Sequence, residues 1–182
     1  MTRADHLTGT DRVAEAASAE DASIVVNIQG DEPLIDPNAI DLAILPLVHD
    51  ADVVMSTLKK RIDHPSEIDD PNVVKVVTNS TGDALYFSRS AIPCERDAGT
   101  RSASFKHIGL YVYRRKFLLN YSTLPVGPLE TSERLEQLRA LENGYPIRVV
   151  ETDYESVGVD TPQDLERVSQ MFEHLYASEP RP

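Results

Sequence analysis

Cysteine is nearly missing from this chain: Cys94 is the only one in 182 residues. An internal disulfide is therefore impossible, and a cysteine-rich zinc site is excluded. No apolar run approaches the ~18 residues that a helix needs to span a bilayer. Met1 is followed by Thr-Arg-Ala-Asp, unlike a signal peptide. These absences lead to the expectation of a soluble cytoplasmic protein with no membrane partner, and Asn79-Ser80-Thr81 then reads as turn chemistry rather than a glycosylation site. Positive charge is also scarce, with 18 Lys and Arg against 30 Asp and Glu and a net charge of −12. Nucleic-acid binding draws on clustered cations, so no nucleic-acid polymer is expected as a partner. A small anionic substrate stays open if a metal or local cations offset the field. With no low-complexity tract and 41% hydrophobic residues, the length suits one domain with a sizeable core.

What is present is organised around SIVVNIQGDEPLIDP, residues 23–37. Residues 23–28 are β-branched and almost continuously apolar, the composition of a strand covered on both faces, as in a parallel sheet. Gln29 and Gly30 break the run, Asp31 and Glu32 follow at its carboxyl end, and Pro33 and Pro37 stiffen the loop. Ligands of open α/β sheets collect at such strand ends. An acidic solvated turn accounts for the same residues equally well.

Residues 2–12 read as a polar helix-entry loop, with Thr10 or Asp11 capping a helix that begins at Val13. Residues 38–49 form a helix disturbed or ended by Pro46, and 53–58 a second strand, with Lys59-Lys60-Arg61 a solvated loop beyond it. A polar connection at 65–70 leads to strands at 73–78 and 84–88 around a turn at 79–82, a hairpin that makes part of the sheet antiparallel. Lys75 and Arg89 are strand cations, which usually lie on an exposed face. In 107–113, Ile108, Leu110 and Val112 share one side, while His107, Gly109, Tyr111 and Tyr113 share the other. Those His and Tyr groups suit either a hydrogen-bonded sheet edge or sugar hydroxyls. A short helix at 116–121 is followed by one that Ser132 caps, with Leu135, Leu138 and Leu141 as its buried stripe and Asn143-Gly144 as its end. Glu136 lies roughly 160° from that stripe at ~100° per residue, which places it in water. A strand at 147–150 precedes a last helix capped by Thr161 and opened by Pro162, with Leu165, Val168, Phe172 and Leu175 toward the core. Asp160 complements the positive end of that helix.

The segment Asn27-Ile28-Gln29-Gly30-Asp31-Glu32-Pro33 closely resembles the signature of CMP-KDO synthetases, the 3-deoxy-manno-octulosonate cytidylyltransferases. HLTGTDR (6–12), PNVVKVV (71–77), ALYFSRSAIP (84–93), HIGLYVYR (107–114), PLETSERLEQLRA (128–140) and GVDTPQDLER (158–167) resemble further family segments, in the family's order. The resemblance implies a three-layer α/β/α fold with a mixed sheet, like other nucleotide-diphosphosugar transferases (GT-A-like). It also implies transfer of a cytidylyl group from CTP to the acidic sugar KDO for lipopolysaccharide synthesis. By the same resemblance Asp31 and Asp160 are the catalytic metal ligands for Mg²⁺. Gln29, Arg89, His107, Tyr111, Glu136 and Gln137 meet the sugar, while Thr8, Gly9, Thr10, Arg12 and Lys75 meet the nucleotide. The 84–114 region is implied to form a homodimer contact. On Glu136, periodicity and resemblance disagree, and the resemblance turns it toward a cleft.

Family members begin with a strand and a basic loop of the form R-x-x-S-x-R-L-P-G-K-P-L around the triphosphate, and these 182 residues contain no such segment. The expectation is a single cytidylyltransferase domain over 1–182, shortened at its N-terminus, lacking the family's N-terminal nucleotide-binding strand and loop and inactive alone. The alternatives are a cytidylyltransferase for another acidic sugar and a non-catalytic dimerising remnant.

Overall fold

The computed structural model describes residues 2–6, 8–97, 102–159 and 161–176. Its centre is a six-stranded mixed sheet of β1 (Ile24–Asn27), β2 (Met55–Arg61), β3 (Lys75–Thr78), β4 (Ala84–Ser88), β5 (Phe105–Arg114) and β6 (Arg148–Glu151). The main path runs β4-β3-β5-β2-β6, and β1 joins β5 off that path. The long strand β5 organises the sheet. It pairs antiparallel with β2, with β1 from Ile24 opposite Arg114 to Asn27 opposite Tyr111, and with β3 where Lys75 opposes Lys106. The β2–β6 pair is parallel, Ser56 opposite Arg148 through Lys59 opposite Glu151. The expected hairpin is formed by β3 and β4, and Asn79 closes its turn by accepting from the amides of Thr81 and Asp83 at 3.0 and 2.8 Å. Gly82 holds φ +85° in that turn, a value only glycine adopts readily.

Alternation along β5 divides the core. Ile108, Leu110 and Val112 meet Ala39, Ala43 and Leu47 of α2 (Pro37–His49) on one face. Tyr111 and Tyr113 face the opposite layer of α1 (Gly9–Ser18), α4 (Arg115–Tyr121) and α6 (Leu138–Glu142), packing with Ala14, Phe117, Tyr121 and Leu138. Three layers result, as the resemblance implies. Leu58, Leu110 and Leu118 are at most 1% exposed, and each such side chain contributes about 1.5–3 kcal/mol by leaving water.

Several expectations need correction. Helices pack on both faces of β1, and Val25 enters one core while Ile24 and Val26 enter the other. Yet β1 is antiparallel to its neighbour, and β5 is its sole strand partner among the described residues, so Ile24, Val25 and Val26 stay half-buried. Composition reports covered faces but not strand direction. The basic run is strand rather than loop, because its charges find partners: Lys59 Nζ lies 4.1 Å from the Phe105 ring centre and donates to Thr78, and Lys60 pairs with Glu155 at 2.6 Å. The cap of α1 is Thr8, whose hydroxyl accepts from the Asp11 amide at 3.1 Å, so the helix starts before Thr10. Pro46 does not stop α2, which Asp36 caps and which runs on to His49, because Asp50 N still reaches the Pro46 carbonyl at 3.0 Å. The polar connection at 65–70 contains a single turn, α3 (Ser66–Asp69).

Two larger differences bear on function. The expected helix from Ser132 to Asn143 is two pieces, α5 (Pro128–Glu133) and α6, separated by Arg134 at φ 54°. A left-handed residue cannot continue a right-handed helix, and the phase of the apolar stripe is lost there. The final helix α7 (Pro162–Tyr176) does open with Thr161 and Asp164 capping each other. Of its expected inward stripe, Val168 is buried, whereas Leu165 is 57% and Phe172 48% exposed. Periodicity identifies an apolar face but not what covers it. The Leu175 side chain lies outside those described. Among the described residues no helix is long and apolar enough to cross a membrane.

Candidate active site

A cavity of about 290 Å³ lies where β5, the end of β1, the start of α1 and the break between α5 and α6 converge. Gln29, His107, Tyr111, Glu136 and Gln137 line it together with Gly9 and Thr10. The broken helix brings Glu136 there: with Arg134 left-handed, residues 134–137 turn instead of following the α5 spiral, and the periodicity argument against Glu136 no longer applies. The Glu136 carboxylate accepts the Thr10 hydroxyl at 2.8 Å, while its backbone carbonyl accepts from Tyr121 OH.

The groups around this cavity are uncharged, Glu136 and Arg134 excepted. Burial pushes the His107 ring down to about 3, so it is neutral at physiological pH, and burial raises the Tyr111 phenol, which keeps its proton. Phe87 meets the His107 ring edge-on at 5.1 Å, and Tyr111 stacks with Tyr113 at 6.1 Å. Gln137 is 3% exposed, and its Nε2 is a buried donor without a partner. Asn27 Nδ2, outside the cavity lining, is another, while Asn27 Oδ1 accepts from Gln29 Nε2 at 3.3 Å. A buried amide that lacks an acceptor costs about 1–3 kcal/mol, so such donors mark where a ligand oxygen belongs. The set suits a small polyhydroxylated molecule.

Beside the cavity, the Gln29-Gly30-Asp31-Glu32 turn is stapled to residues 154–159. Glu32 accepts from Tyr154 OH at 3.3 Å and from Ser156 Oγ, and the Asp31 carbonyl accepts from Val159 N at 2.9 Å. The Asp31 side chain is exposed. The two chain segments expected to supply a cation site are thus neighbours through Val159, although Asp160 itself lies outside the described residues. No group of three or more His, Cys, Asp or Glu among the described residues is arranged for a metal. Mg²⁺ commonly takes one or two carboxylates and fills its remaining positions with water and phosphate oxygens, so a lone accessible aspartate on a fixed loop fits that habit.

Other expected site residues are elsewhere. Lys75 is fully buried, and its ammonium donates to the carbonyls of Asp70, Val73 and Arg89 at 2.8, 2.6 and 2.5 Å. All three protons are used within the chain, which corrects the expectation of a nucleotide contact. Arg89 does not line the cavity either, since its Nε and Nη1 donate to the carbonyls of Glu133 and Pro71, both at 2.9 Å. Thr8 is occupied as the α1 cap, and Arg12 reaches Thr2 and the Arg3 carbonyl. Thr8 also borders a larger cleft of about 510 Å³ between the N-terminal segment, α1 and α4. Several polar groups there pair with one another, Glu15 taking His6 and the Arg3 amide and Arg139 pairing with Glu130, while Asp11 Oδ1 is buried without a partner. Besides the apolar Val74 and Leu135 of the lining, three residues at the site escaped sequence reasoning as participants. Gly109 and Arg134 line the cavity, and Thr57 holds His107 from behind. Alternation on β5 had placed Gly109 between His107 and Tyr111 on one face; nothing in the sequence marked the other two.

A family pattern described as cytidylyltransferase matches residues 1–153. The 3-deoxy-manno-octulosonate cytidylyltransferase of Solibacter usitatus (strain Ellin6076) is 76% identical over 172 residues, covering 94% of this chain and 68% of the relative. The same enzyme of Syntrophotalea carbinolica is 58% identical over 176 residues, covering 92% and 70%. A solved CMP:2-keto-3-deoxy-manno-octonic acid synthetase complexed with CTP superposes with a TM-score of 0.90 at 43% identity, covering 96% of this chain and 72% of that one. With the mixed sheet, the polar cavity at the carboxyl end of β1 and these likenesses in agreement, the chain belongs to the cytidylyltransferase family, among its 3-deoxy-manno-octulosonate members.

Proposed function

We propose that this protein activates 3-deoxy-manno-octulosonate with CTP, giving the CMP-sugar and pyrophosphate, and that the 290 Å³ cavity receives the sugar. The observation that carries the placement is the buried, unpartnered Gln137 Nε2 among His107, Tyr111 and Glu136. In the reaction the anomeric hydroxyl oxygen of the sugar bonds to the α-phosphorus of CTP. The bond from that phosphorus to the β-phosphate bridging oxygen breaks, the hydroxyl proton passes to solvent, and pyrophosphate leaves. Such transfers depend on positioning and charge neutralisation more than on covalent help from the protein. Gln137 and Gln29 donate to sugar oxygens, Tyr111 donates or accepts, and Glu136 accepts from hydroxyls with the oxygen that Thr10 leaves free. Gly9 and Thr10 border the same cavity from α1, where the nucleotide adjoins the sugar. Asp31 with Asp160 would hold Mg²⁺, which neutralises triphosphate charge in such reactions.

A homodimer and a cytoplasmic setting belong to the same reading. Leu85, 62% exposed on β4, is apolar surface within the 84–93 segment that a subunit contact would cover. Light scattering tests that point.

The functional test measures pyrophosphate release with CTP, Mg²⁺ and the sugar. It uses the 182-residue chain and a form preceded by the N-terminal part of the Solibacter usitatus relative. Turnover is expected at least in the extended form, with Gln137→Ala raising KM for the sugar about tenfold, the loss of one well-placed hydrogen bond in a buried site. No turnover in either form, with no binding of the sugar by calorimetry, refutes the reading and leaves a dimerising module. Turnover with a different 2-keto acidic sugar but not this one redirects the specificity.

A further inference from the structure

The geometry points to Thr57 as a positioning residue that fixes which nitrogen of His107 carries the proton, so that His107 meets the sugar as a hydrogen-bond acceptor through Nδ1. This rests on the assignment of the cavity to the sugar. Thr57 is fully buried on β2, and its hydroxyl lies 2.7 Å from the Leu110 carbonyl, 3.1 Å from the Ile108 carbonyl and 2.9 Å from His107 Nε2. A hydroxyl has one proton, and carbonyl oxygens can only accept. If that proton went to His107, two carbonyl oxygens would face the Thr57 oxygen with no hydrogen between them. The proton therefore goes to a carbonyl, Leu110 being nearer, and His107 must donate through Nε2–H to the Thr57 oxygen.

The backbone explains why the carbonyls are there. Register between β2 and β5 shifts between Thr57 and Leu58: Thr57 opposes Tyr111, while Leu58 opposes Ile108. Gly109 and Leu110 are the extra residues, and such a bulge leaves ladder acceptors that a neighbouring side chain must satisfy. Thr57 satisfies them and, with the oxygen lone pair that remains, takes the His107 proton. His107 lines the cavity, and Nδ1 has no protein partner among the described residues. A neutral ring protonated at Nε2 has a lone pair at Nδ1, so the matching ligand group is a hydroxyl; a carboxylate there would set lone pair against lone pair. His107 thereby fixes the orientation of the sugar, with its hydroxyl side at β5 and its acid group toward the amide donors such as Gln137.

The test is nitrogen NMR of the histidine rings in the 182-residue chain near neutral pH. His107 is expected as the Nε2–H tautomer. Thr57→Ser, which retains the hydroxyl, is expected to keep it, and Thr57→Val to give a mixture or the reverse. A reversed tautomer in the unaltered chain overturns the proposal, as does an unchanged tautomer in Thr57→Val. Should Thr57→Val not fold, the unaltered chain and Thr57→Ser still decide. Adding the sugar is expected to shift the Nδ1 resonance, and Thr57→Val to weaken sugar affinity about five- to tenfold. The correct tautomer with an Nδ1 signal that the sugar leaves unmoved would sink the sugar assignment while leaving the role of Thr57 intact.

Discussion

Glu130→Ala should be among the most damaging single changes outside the cavity, and the reason is visible in one contact. The Arg139 guanidinium grips the Glu130 carboxylate through Nε at 2.8 Å and Nη2 at 2.5 Å, and the two side chains are only 6% and 9% exposed. The pair joins α5 to α6 across the left-handed Arg134, so it holds closed the turn that presents Glu136 and Gln137. Removing one partner of a buried pair costs about 3–5 kcal/mol because the other charge is left uncompensated. Arg139 borders the 510 Å³ cleft, so water can reach it, and about 3 kcal/mol is the expected loss. For a domain of this size that lowers Tm by roughly 6–12 °C. Urea unfolding should show a lower midpoint at unchanged slope. In the pyrophosphate assay KM for the sugar should rise more than KM for CTP, since the turn bears the proposed sugar contacts. The double change Glu130→Leu with Arg139→Met should be less destabilising than Glu130→Ala, as it leaves no orphan charge. A loss below about 1 kcal/mol, or a double variant worse than the single one, would refute the reasoning.

A Cβ built on Gly109 meets nothing within 4 Å, so Gly109→Val should fold normally yet fill the cavity, raising KM for the sugar more than about tenfold; normal sugar affinity would place the ligand elsewhere. Lys75→Met strands the carbonyls of Asp70, Val73 and Arg89 and should lower stability by about 2–4 kcal/mol in urea titration, with loss of the β3–β4 edge first in hydrogen exchange. Burial holds the His107 pKa at about 3 in the folded chain against 6.5 for an ordinary ring, so the unfolded chain binds the extra proton first. Its contribution to stability is fully present above pH 6.5 and declines as pH falls toward 3, and His107→Asn should flatten that part of the profile. Glu133 accepts from Ser88, the Arg89 amide and Tyr86; desolvation opposes its charge, but these bonds win and hold it below the ordinary 4.5. Its contribution is present above about that pH and lost as pH falls through the lower folded value, which Glu133→Gln should abolish.

Residue order alone determined a good deal here. The β-branched run before Gln29, the hairpin around Asn79 and Gly82, and alternation along β5 all depend on local preference or period-two patterning, which survives whatever the strand later packs against. Alternation placed His107, Gly109 and Tyr111 on one face, and motif resemblance added Gln29, Glu136 and Gln137. The tertiary structure decided what periodicity cannot encode. Strand direction for β1 depends on which edge of β5 is available. The kink at Arg134 depends on the Glu130–Arg139 clamp across it, and that kink turned Glu136 from a solvent position into a cavity position. Lys75 and Thr57 carry polar groups whose roles follow from which carbonyls surround them, and those carbonyls come from chain segments as far as 53 positions away. A sequence states which donors and acceptors exist; only folding fixes which of them are already satisfied by the chain and which are left for a ligand.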